Sequence, residues 1–233
     1  MRKQTGFTLV ELLVVIAVIA ILMTIIAPTL RSVTLRTEMV ICKSNLHHLG
    51  IGLAAYQAAH DNRFMPFRKW ILGNYTDRSG IRNGLIWPYV QDLDFFLCPT
   101  FKKVCAPNAV RSYVMQHSFG DYERWYNRNN WGNGYSIDTI VQVKDPSRLG
   151  IVTEEATYKV HVGSTWYSRF QVNDAHLVCP DWPNRDTIAQ FHYPGPGPLD
   201  QQIEGVGNVT FVDGHVEDVH TTQTPYVISQ KWY

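Results

Sequence analysis

One feature near the N-terminus constrains this chain more than any other: an apolar run that contains a single charge. From Phe7 to Ala27 the sequence has 21 residues, and Glu11 is the one charged side chain among them. Because about 20 residues of helix cross the hydrocarbon core of a bilayer, the run predicts a membrane-spanning helix. Arg2 and Lys3 precede it, and positive flanks stay in the cytoplasm. The chain beyond the run should therefore lie on the other side of the membrane.

The carboxylate of Glu11 is not explained by two simpler interpretations of this run. A plain membrane anchor accounts for the length and the flanking charge, but an acidic side chain within a span costs about 2.5–3.5 kcal/mol and usually marks a function. A secretory signal has an apolar region of about 7–15 residues and a small-x-small cleavage site. Here the run is longer, and Ala27-Pro28-Thr29 offers no clear site of that kind.

The segment from Gly6 to Glu11, Gly-Phe-Thr-Leu-Val-Glu, and the apolar residues after it resemble the N-terminal signature of the type IV pilin and type II secretion pseudopilin superfamily. The resemblance implies that a prepilin peptidase removes a leader of residues 1–6 by cutting after Gly6, and that the new N-terminus, Phe7, is methylated. It also implies that Glu11 neutralises the N-terminal amine of a neighbouring subunit in a fibre, where an unpaired charge in an apolar core would be unfavourable.

The helix is predicted to continue beyond the membrane. Pro28 has no N–H to give and should kink or loosen it; the pilin family often has a proline at this place, the 22nd residue from the expected cut, where local melting accompanies assembly. We expect the helix to end near His60-Asp61-Asn62, which divides the chain into a leader 1–6, a span 7–27, a helical continuation 28–60 and a globular domain 61–233. Apolar residues then recur with the 4-3-4-3 spacing of one helix face, which should face the globular domain: Cys42, Leu46, Leu49, Leu53 and Tyr56.

The globular part reads as short strands. Leu149–Thr153 is β-rich and follows a turn, and Asn208–Val219 contains two β-rich runs joined by Asp213-Gly214. An Asp-Gly pair between such runs predicts a hairpin with a type I′ turn, in which both central residues have positive φ. The predicted fold class is therefore α+β and pilin-like, with an antiparallel sheet on the C-terminal half of the long helix.

Three segments of the globular part are similar to a group of bacterial prepilin-like proteins, abundant in planctomycetes, that are named for an H-x9-DG motif. They are Cys42–Leu46 with Gly50, Phe96–Pro99 and Asn208–Val216. The sequence departs from the motif, because 20 residues rather than nine separate His192 from Asp213.

The same region invites a metal interpretation through His192, Asp213 and His215. The resemblance to secretion pseudopilins implies structural calcium near the C-terminus, yet calcium takes roughly six to eight oxygens, usually from a tight loop, and no such loop is visible. The favoured interpretation is a turn with solvated histidines, and a membrane-anchored, metal-dependent enzyme is the weaker alternative. The sequence contains no Walker loop, GxSxG elbow or HExxH pair, so we expect no catalytic residues, no enzymatic activity and no cofactor.

Four cysteines suggest disulfides if the domain lies in an oxidising compartment, and four allow three connectivities. Cys98 and Cys105 could close a local loop, whereas the positions shared with the H-x9-DG proteins imply Cys42–Cys98, which leaves Cys105–Cys179. Free buried thiols stay an alternative, particularly for Cys42 on the helix stripe. A zinc site is disfavoured because the chain has no CxxC pair.

Composition limits the partners. The formal charge is +1 and becomes −1 once the leader with its two cations is removed, so nothing favours nucleic acid. An aromatic segment that includes Trp125, Tyr126 and Trp131 alternates rings with Asn and Arg. This composition is typical of a carbohydrate-binding surface and of a long loop that packs on itself, and we favour packing.

These observations together predict a non-enzymatic pilin-like subunit held by one pass in the cytoplasmic (inner) membrane, with its globular domain in the periplasm or, after assembly, at the cell exterior. Its expected partners are a prepilin peptidase and other pilin or pseudopilin subunits, in a type IV pilus or a type II secretion pseudopilus-like fibre. The alternative is a minor pseudopilin or surface protein whose head binds polysaccharide.

Overall fold

The structure is a computed structural model that describes residues 8–104, 107–120, 136–154, 160–162, 165–167, 176–177, 188–189, 192, 205–220 and 223. The chain forms two compact units, Met1–Thr37 and Glu38–Tyr233. Helix α1, Leu9–Ala59, contributes residues to both.

In the first unit, α1 is apolar and uncovered. Residues Leu9–Ala27 have a mean hydropathy of 3.1 and none of them is buried. Within the described part of the chain, this is the one segment whose length and composition suit a membrane span. The predicted location of the span is therefore supported by a helix with no protein partner within its own unit.

In the second unit, one face of α1 is buried. The predicted stripe is buried: Cys42, Leu46 and Leu49 have no exposed surface, and Leu53 and Tyr56 retain 4% and 8%. The helix passes through position 28 without a break and ends at Ala59. Positive φ angles of 53° and 59° at Asp61 and Asn62 then turn the chain away.

Short helices and 3-10 turns follow α1 in the sequence, between Phe67 and Gln142. They are α2 (Phe67–Trp70), α3 (Arg78–Arg82), a 3-10 turn (Leu93–Phe96), α4 (Pro99–Val104) and a second 3-10 turn (Ile140–Gln142). Helix α4 contacts α1 through polar groups. Lys103 of α4 forms an ion pair with the buried carboxylate of Glu38, which also accepts a hydrogen bond from the Thr100 hydroxyl at 2.9 Å.

A five-stranded sheet forms the other side of the core, in the order β5-β1-β2-β6-β7. Four of its strands pair in antiparallel fashion, which confirms the α+β class, while β5 pairs with β1 in parallel. The predicted strand over Leu149–Thr153 is confirmed as β2, one residue later. A separate two-stranded sheet joins β3 and β4. The strands are β1 (Tyr113–Gln116), β2 (Gly150–Glu154), β3 (Val160–Val162), β4 (Thr165–Tyr167), β5 (His176–Leu177), β6 (Val206–Phe211) and β7 (Val216–His220).

Strand β6 packs directly on α1, as the sequence predicted. The Thr210 hydroxyl donates a hydrogen bond to the Leu46 carbonyl at 3.1 Å. A Cβ placed on Gly50 would lie 2.9 Å from the Thr210 methyl carbon, so the absence of a side chain at position 50 lets the sheet approach the helix. Gly52 serves a different neighbour, since its Cβ would lie 2.3 Å from a methyl carbon of Val90, outside the sheet.

The β6–β7 hairpin is present, but its turn differs from the predicted type I′. The Gly214 N–H donates to the Phe211 carbonyl at 3.0 Å, and the Phe211 N–H donates to the His215 carbonyl at 2.9 Å. Gly214 has a φ of +91°, whereas Asp213 has no positive φ. These features define a three-residue loop with a glycine bulge, which needs one left-handed residue rather than two.

We predict that Gly214→Val lowers the free energy of unfolding by about 1–2 kcal/mol, the usual cost of placing an L-residue in the left-handed region. A Cβ at this position would meet nothing within 4 Å, so the loss would come from the backbone alone. The measurement is thermal or denaturant unfolding of the full-length protein in detergent. Gly214→Asn is the matched control and should lose less, because Asn tolerates this conformation. An unchanged midpoint for the Val variant would contradict the bulge.

Candidate functional site

The first candidate site is the start of α1, where Thr8 and Glu11 cap the helix. The Glu11 carboxylate accepts the Thr8 N–H and the Thr8 hydroxyl, each at 2.8 Å, and the Thr8 hydroxyl oxygen accepts the Glu11 N–H at 3.3 Å. This is the reciprocal capping box expected of a Thr-x-x-Glu sequence. Glu11 is exposed in the single chain. Gly6 and Phe7, the predicted processing residues, lie outside the described residues.

The second candidate site is a group of four buried side chains in the second unit, which we call the buried cluster. Their sulfur, nitrogen and carboxylate oxygen atoms all lie within 4.8 Å of one another. Each comes from a different place in the fold: the helix stripe of α1, the residue before α4, the last residue of β2, and the segment between β5 and β6. In that order they are Cys42, Cys98, Glu154 and His192.

Hydrogen bonds hold the members of the buried cluster in place. The Cys98 N–H donates to the Ser112 hydroxyl at 2.8 Å, and the Cys98 sulfur accepts the Phe101 N–H at 3.5 Å. On β6, the backbone and side-chain N–H groups of Asn208 approach one oxygen of Glu154 at 3.4 and 3.5 Å. The Cys98 sulfur and the Glu154 carboxylate are thus held in place by hydrogen bonds from neighbouring residues.

Glu154 and His192 form a buried ion pair. The Nε2 atom of His192 lies 2.8 and 3.0 Å from the two carboxylate oxygens of Glu154 and 3.6 Å from the Cys98 sulfur. Burial acts to raise the pKa of Glu154, but the charge and hydrogen bond of His192 outweigh it and leave that pKa lowered. Burial acts to lower the pKa of His192, and the Glu154 charge overrides it and raises the pKa to about 10.

The two thiols of the buried cluster are neutral by the same reasoning. Burial raises the pKa of Cys42, and it raises the pKa of Cys98 well above its ordinary value. The Tyr113 hydroxyl beside them is also buried, and burial likewise raises its pKa. The cluster therefore consists of one ionised pair next to two protonated sulfurs, a set of groups that are all potential metal ligands.

Cys42 and Cys98 are free buried cysteines in this structure, which agrees with the alternative of buried thiols rather than with the predicted disulfide between them. Their sulfurs lie within 4.8 Å of each other without a bond, and the Cys98 sulfur is engaged by the Phe101 N–H and His192. The predicted pairing of Cys105 with Cys179 lies outside the described residues.

The structure does not bring His192, Asp213 and His215 together. Asp213 and His215 lie on the exposed hairpin turn, where their side chains meet at 2.6 Å and remain 37% and 39% exposed. The His215 ring stacks on Phe211 at 4.3 Å. His192 instead belongs to the buried cluster, so the weaker metal interpretation through His192, Asp213 and His215 is wrong, whereas the exposed turn at Asp213 and His215 agrees with the favoured interpretation.

The sequence does not select Glu154 as a site residue. Glu154 and Glu155 could both be ligands, but adjacent residues on a strand point to opposite faces. The useful signal was an acid directly after the run Gly150–Thr153, and all five residues of β2 are buried. The aromatic residues Trp125, Tyr126 and Trp131 lie outside the described residues, so the carbohydrate-binding head stays a prediction.

Comparison with known proteins gives a match at the start of the chain. Residues 1–27 match the family model of the prokaryotic N-terminal methylation motif. No curated protein and no solved structure matches this chain significantly. The chain therefore carries a prepilin-type N-terminal motif, which supports a pilin-like or pseudopilin-like protein. Together with the apolar helix, the motif is consistent with membrane anchoring.

We predict that Glu154→Gln lowers the free energy of unfolding by about 3–5 kcal/mol, because it leaves the buried His192 without its counter-charge. Glu217→Gln is the matched control, since Glu217 is 66% exposed and faces His215 at 3.8 Å, and an exposed pair contributes about 0–1 kcal/mol. Denaturant unfolding of the two full-length variants in detergent, with EDTA present to keep the protein free of metal, measures both effects. Equal midpoints for the two variants would show that the buried pair does not stabilise the fold.

Proposed function

We propose that this protein is a membrane-anchored, non-enzymatic pilin-like subunit that a prepilin peptidase processes between Gly6 and Phe7. The observation that carries the proposal is a coincidence of two features. The N-terminal methylation motif covers residues 1–27, and the same stretch contains the uncovered apolar helix Leu9–Ala27. Apolar surface of this extent is stable only in lipid or against other apolar surfaces.

In the proposed function, the subunit occupies both environments in turn, first lipid and then the apolar core of a fibre. Before assembly, the span holds the protein in the cytoplasmic membrane by a single pass, with Arg2 and Lys3 on the cytoplasmic side. During assembly, the spans leave the lipid and pack against one another in a fibre of the type IV pilus or type II secretion class. In this arrangement the second unit is carried outside the membrane.

Glu11 has a direct part in this assembly. Its carboxylate lies at the first turn of α1 and is exposed in the single chain, with Thr8 as its partner. Cleavage before Phe7 creates an amine next to this turn. In a fibre, the carboxylate can accept the amine of a neighbouring subunit, and the attraction is strong because the apolar surroundings have a low dielectric constant. An unpaired amine in the same place would oppose packing.

The first prediction from this proposal concerns cleavage. Gly6→Val should leave an uncleaved precursor in the membrane, because a branched side chain at position 6 obstructs the close approach of the peptidase to the backbone. Thr5→Val is the matched control, since it places valine next to the cut site, replaces a branched residue of similar size and keeps Gly6. Both variants are expressed with a prepilin peptidase, and the N-terminus is sequenced from the membrane fraction. A wild-type chain that keeps Met1, or that is cut beyond Ala27 and released, would contradict the proposal.

The second prediction separates assembly from cleavage. Glu11→Val should still be processed, while the assembled protein in the sheared surface fraction falls by about tenfold or more, since an unpaired buried charge costs at least 1.4 kcal/mol. Thr24→Val is the matched control, because it removes a polar group from the same span without removing a charge; the Thr24 hydroxyl is satisfied by the Ile21 carbonyl at 2.7 Å. Equal surface amounts for the two variants would remove Glu11 from the assembly mechanism.

A further inference from the structure

The buried cluster contains the donor atoms of a structural metal site. We propose that it binds one Zn²⁺ ion in tetrahedral coordination by two sulfurs, one imidazole nitrogen and one carboxylate oxygen, from Cys42, Cys98, His192 and Glu154. This site is independent of the proposed function, since its ligands all lie in the second unit.

The sulfur–nitrogen distance in the buried cluster fits zinc, whereas the nitrogen–oxygen distances are shorter than zinc requires and would have to lengthen. Zinc binds sulfur at about 2.3 Å and nitrogen or oxygen at about 2.0–2.2 Å, so a tetrahedral site has sulfur–nitrogen edges of about 3.6 Å and nitrogen–oxygen edges of about 3.4 Å. The Cys98 sulfur lies 3.6 Å from Nε2 of His192, and that nitrogen lies 2.8–3.0 Å from the Glu154 oxygens. The Cys42 sulfur is within 4.8 Å of all of them. Small shifts would admit the ion.

The donor types select the metal. Calcium and magnesium take oxygen ligands, and two sulfurs exclude both. Zinc binds sulfur, nitrogen and oxygen ligands, so it can bind all three donor types of the buried cluster at once. The four side chains are buried, with at most 1% exposed, so the coordination sphere is closed to water. A closed sphere of four protein ligands is the mark of a structural rather than a catalytic site.

The surroundings of the buried cluster supply the outer hydrogen bonds that metal ligands usually have. The Phe101 N–H donates to the Cys98 sulfur, and Asn208 donates to the Glu154 carboxylate. Such donors orient the ligands and support negative charge on them. They are therefore placed to stabilise a thiolate and a coordinated carboxylate.

Zn²⁺ would be held by a carboxylate, a neutral imidazole nitrogen and two thiolates, and this set of ligands leaves a single negative charge in the site. Any protons that these groups carry without metal would pass to solvent on binding. Metal binding of this kind releases protons to solvent and weakens as the pH falls. The N–H groups of Phe101 and Asn208, which donate to the Cys98 sulfur and the Glu154 carboxylate, are placed to stabilise this remaining negative charge.

The proposed ion would tie together segments that are far apart in the chain. Cys42 belongs to α1, Glu154 ends the central strand β2, and His192 lies between β5 and β6. One ion would thus fasten the helix to the sheet, in a role that a disulfide between Cys42 and Cys98 could fill only in part. Zinc binding and that disulfide exclude each other, because both use the same two sulfurs.

The test begins with the metal content of the full-length protein purified in detergent without chelators. We expect about one zinc per chain, as one four-coordinate site requires, and less than a tenth of that in Cys98→Ser and His192→Ala. His215→Ala is the matched control, since His215 lies on the exposed hairpin turn, and it should keep its zinc. Zinc that persists in both cluster variants would overturn the proposal.

A second measurement on the wild-type chain decides the matter if the variants fail to fold. After reduction and removal of metal, added Co²⁺ should produce the thiolate-to-cobalt charge-transfer band, and added Zn²⁺ should abolish it. Zn²⁺ should also restore a melting temperature that EDTA has lowered, whereas Ca²⁺ should not. A wild-type chain that contains no zinc and gives no cobalt band, or whose native form contains a Cys42–Cys98 disulfide on peptide mapping, would overturn the proposal.

Discussion

The continuity of α1 is the constraint on which the rest of this structure depends. Its first part is apolar on every side and has no partner within its unit. From Glu38 onward one face is buried, and the core of the second unit is assembled on that face. Backbone polar groups inside a bilayer must be satisfied within the segment itself, which an unbroken helix achieves. In the second unit the same helix offers the sheet a regular apolar face.

Elements with a local periodic signal were predictable from the sequence. The stripe from Cys42 to Tyr56 repeats at helical spacing and is buried, and the hairpin of β6 and β7 follows from two β-rich runs around Asp213-Gly214. The turn type was not predictable, because an Asp-Gly pair suits both a two-residue loop and a three-residue loop with a bulge. The pairing of Thr210 with Val216 decides it. The parallel pairing of β5 with β1 joins residues far apart in the sequence and leaves no local signal.

The buried cluster shows a different limit of sequence reasoning. The family positions of Cys42 and Cys98 predict that the two are neighbours, but as a disulfide, with free buried thiols as the alternative. His192 was grouped with Asp213 because the two are close in the chain, whereas the fold separates them. A site whose ligands come singly from four segments has no spacing motif, so only the folded arrangement reveals it. Burial of Glu154, an acid at the end of an apolar strand, was the strongest local hint.

The contact between Gly50 and Thr210 couples two distant positions of the chain. Because a side chain at position 50 would strike the Thr210 methyl group, growth at one position requires loss of volume at the other. The Thr210 hydroxyl also bonds the carbonyl of Leu46, so a smaller residue there must give up that bond. A substitution at position 50 or at position 210 is therefore constrained by the residue at the other position. The long helix and the hairpin have to vary as a matched pair, although 159 residues of chain separate Gly50 from Thr210.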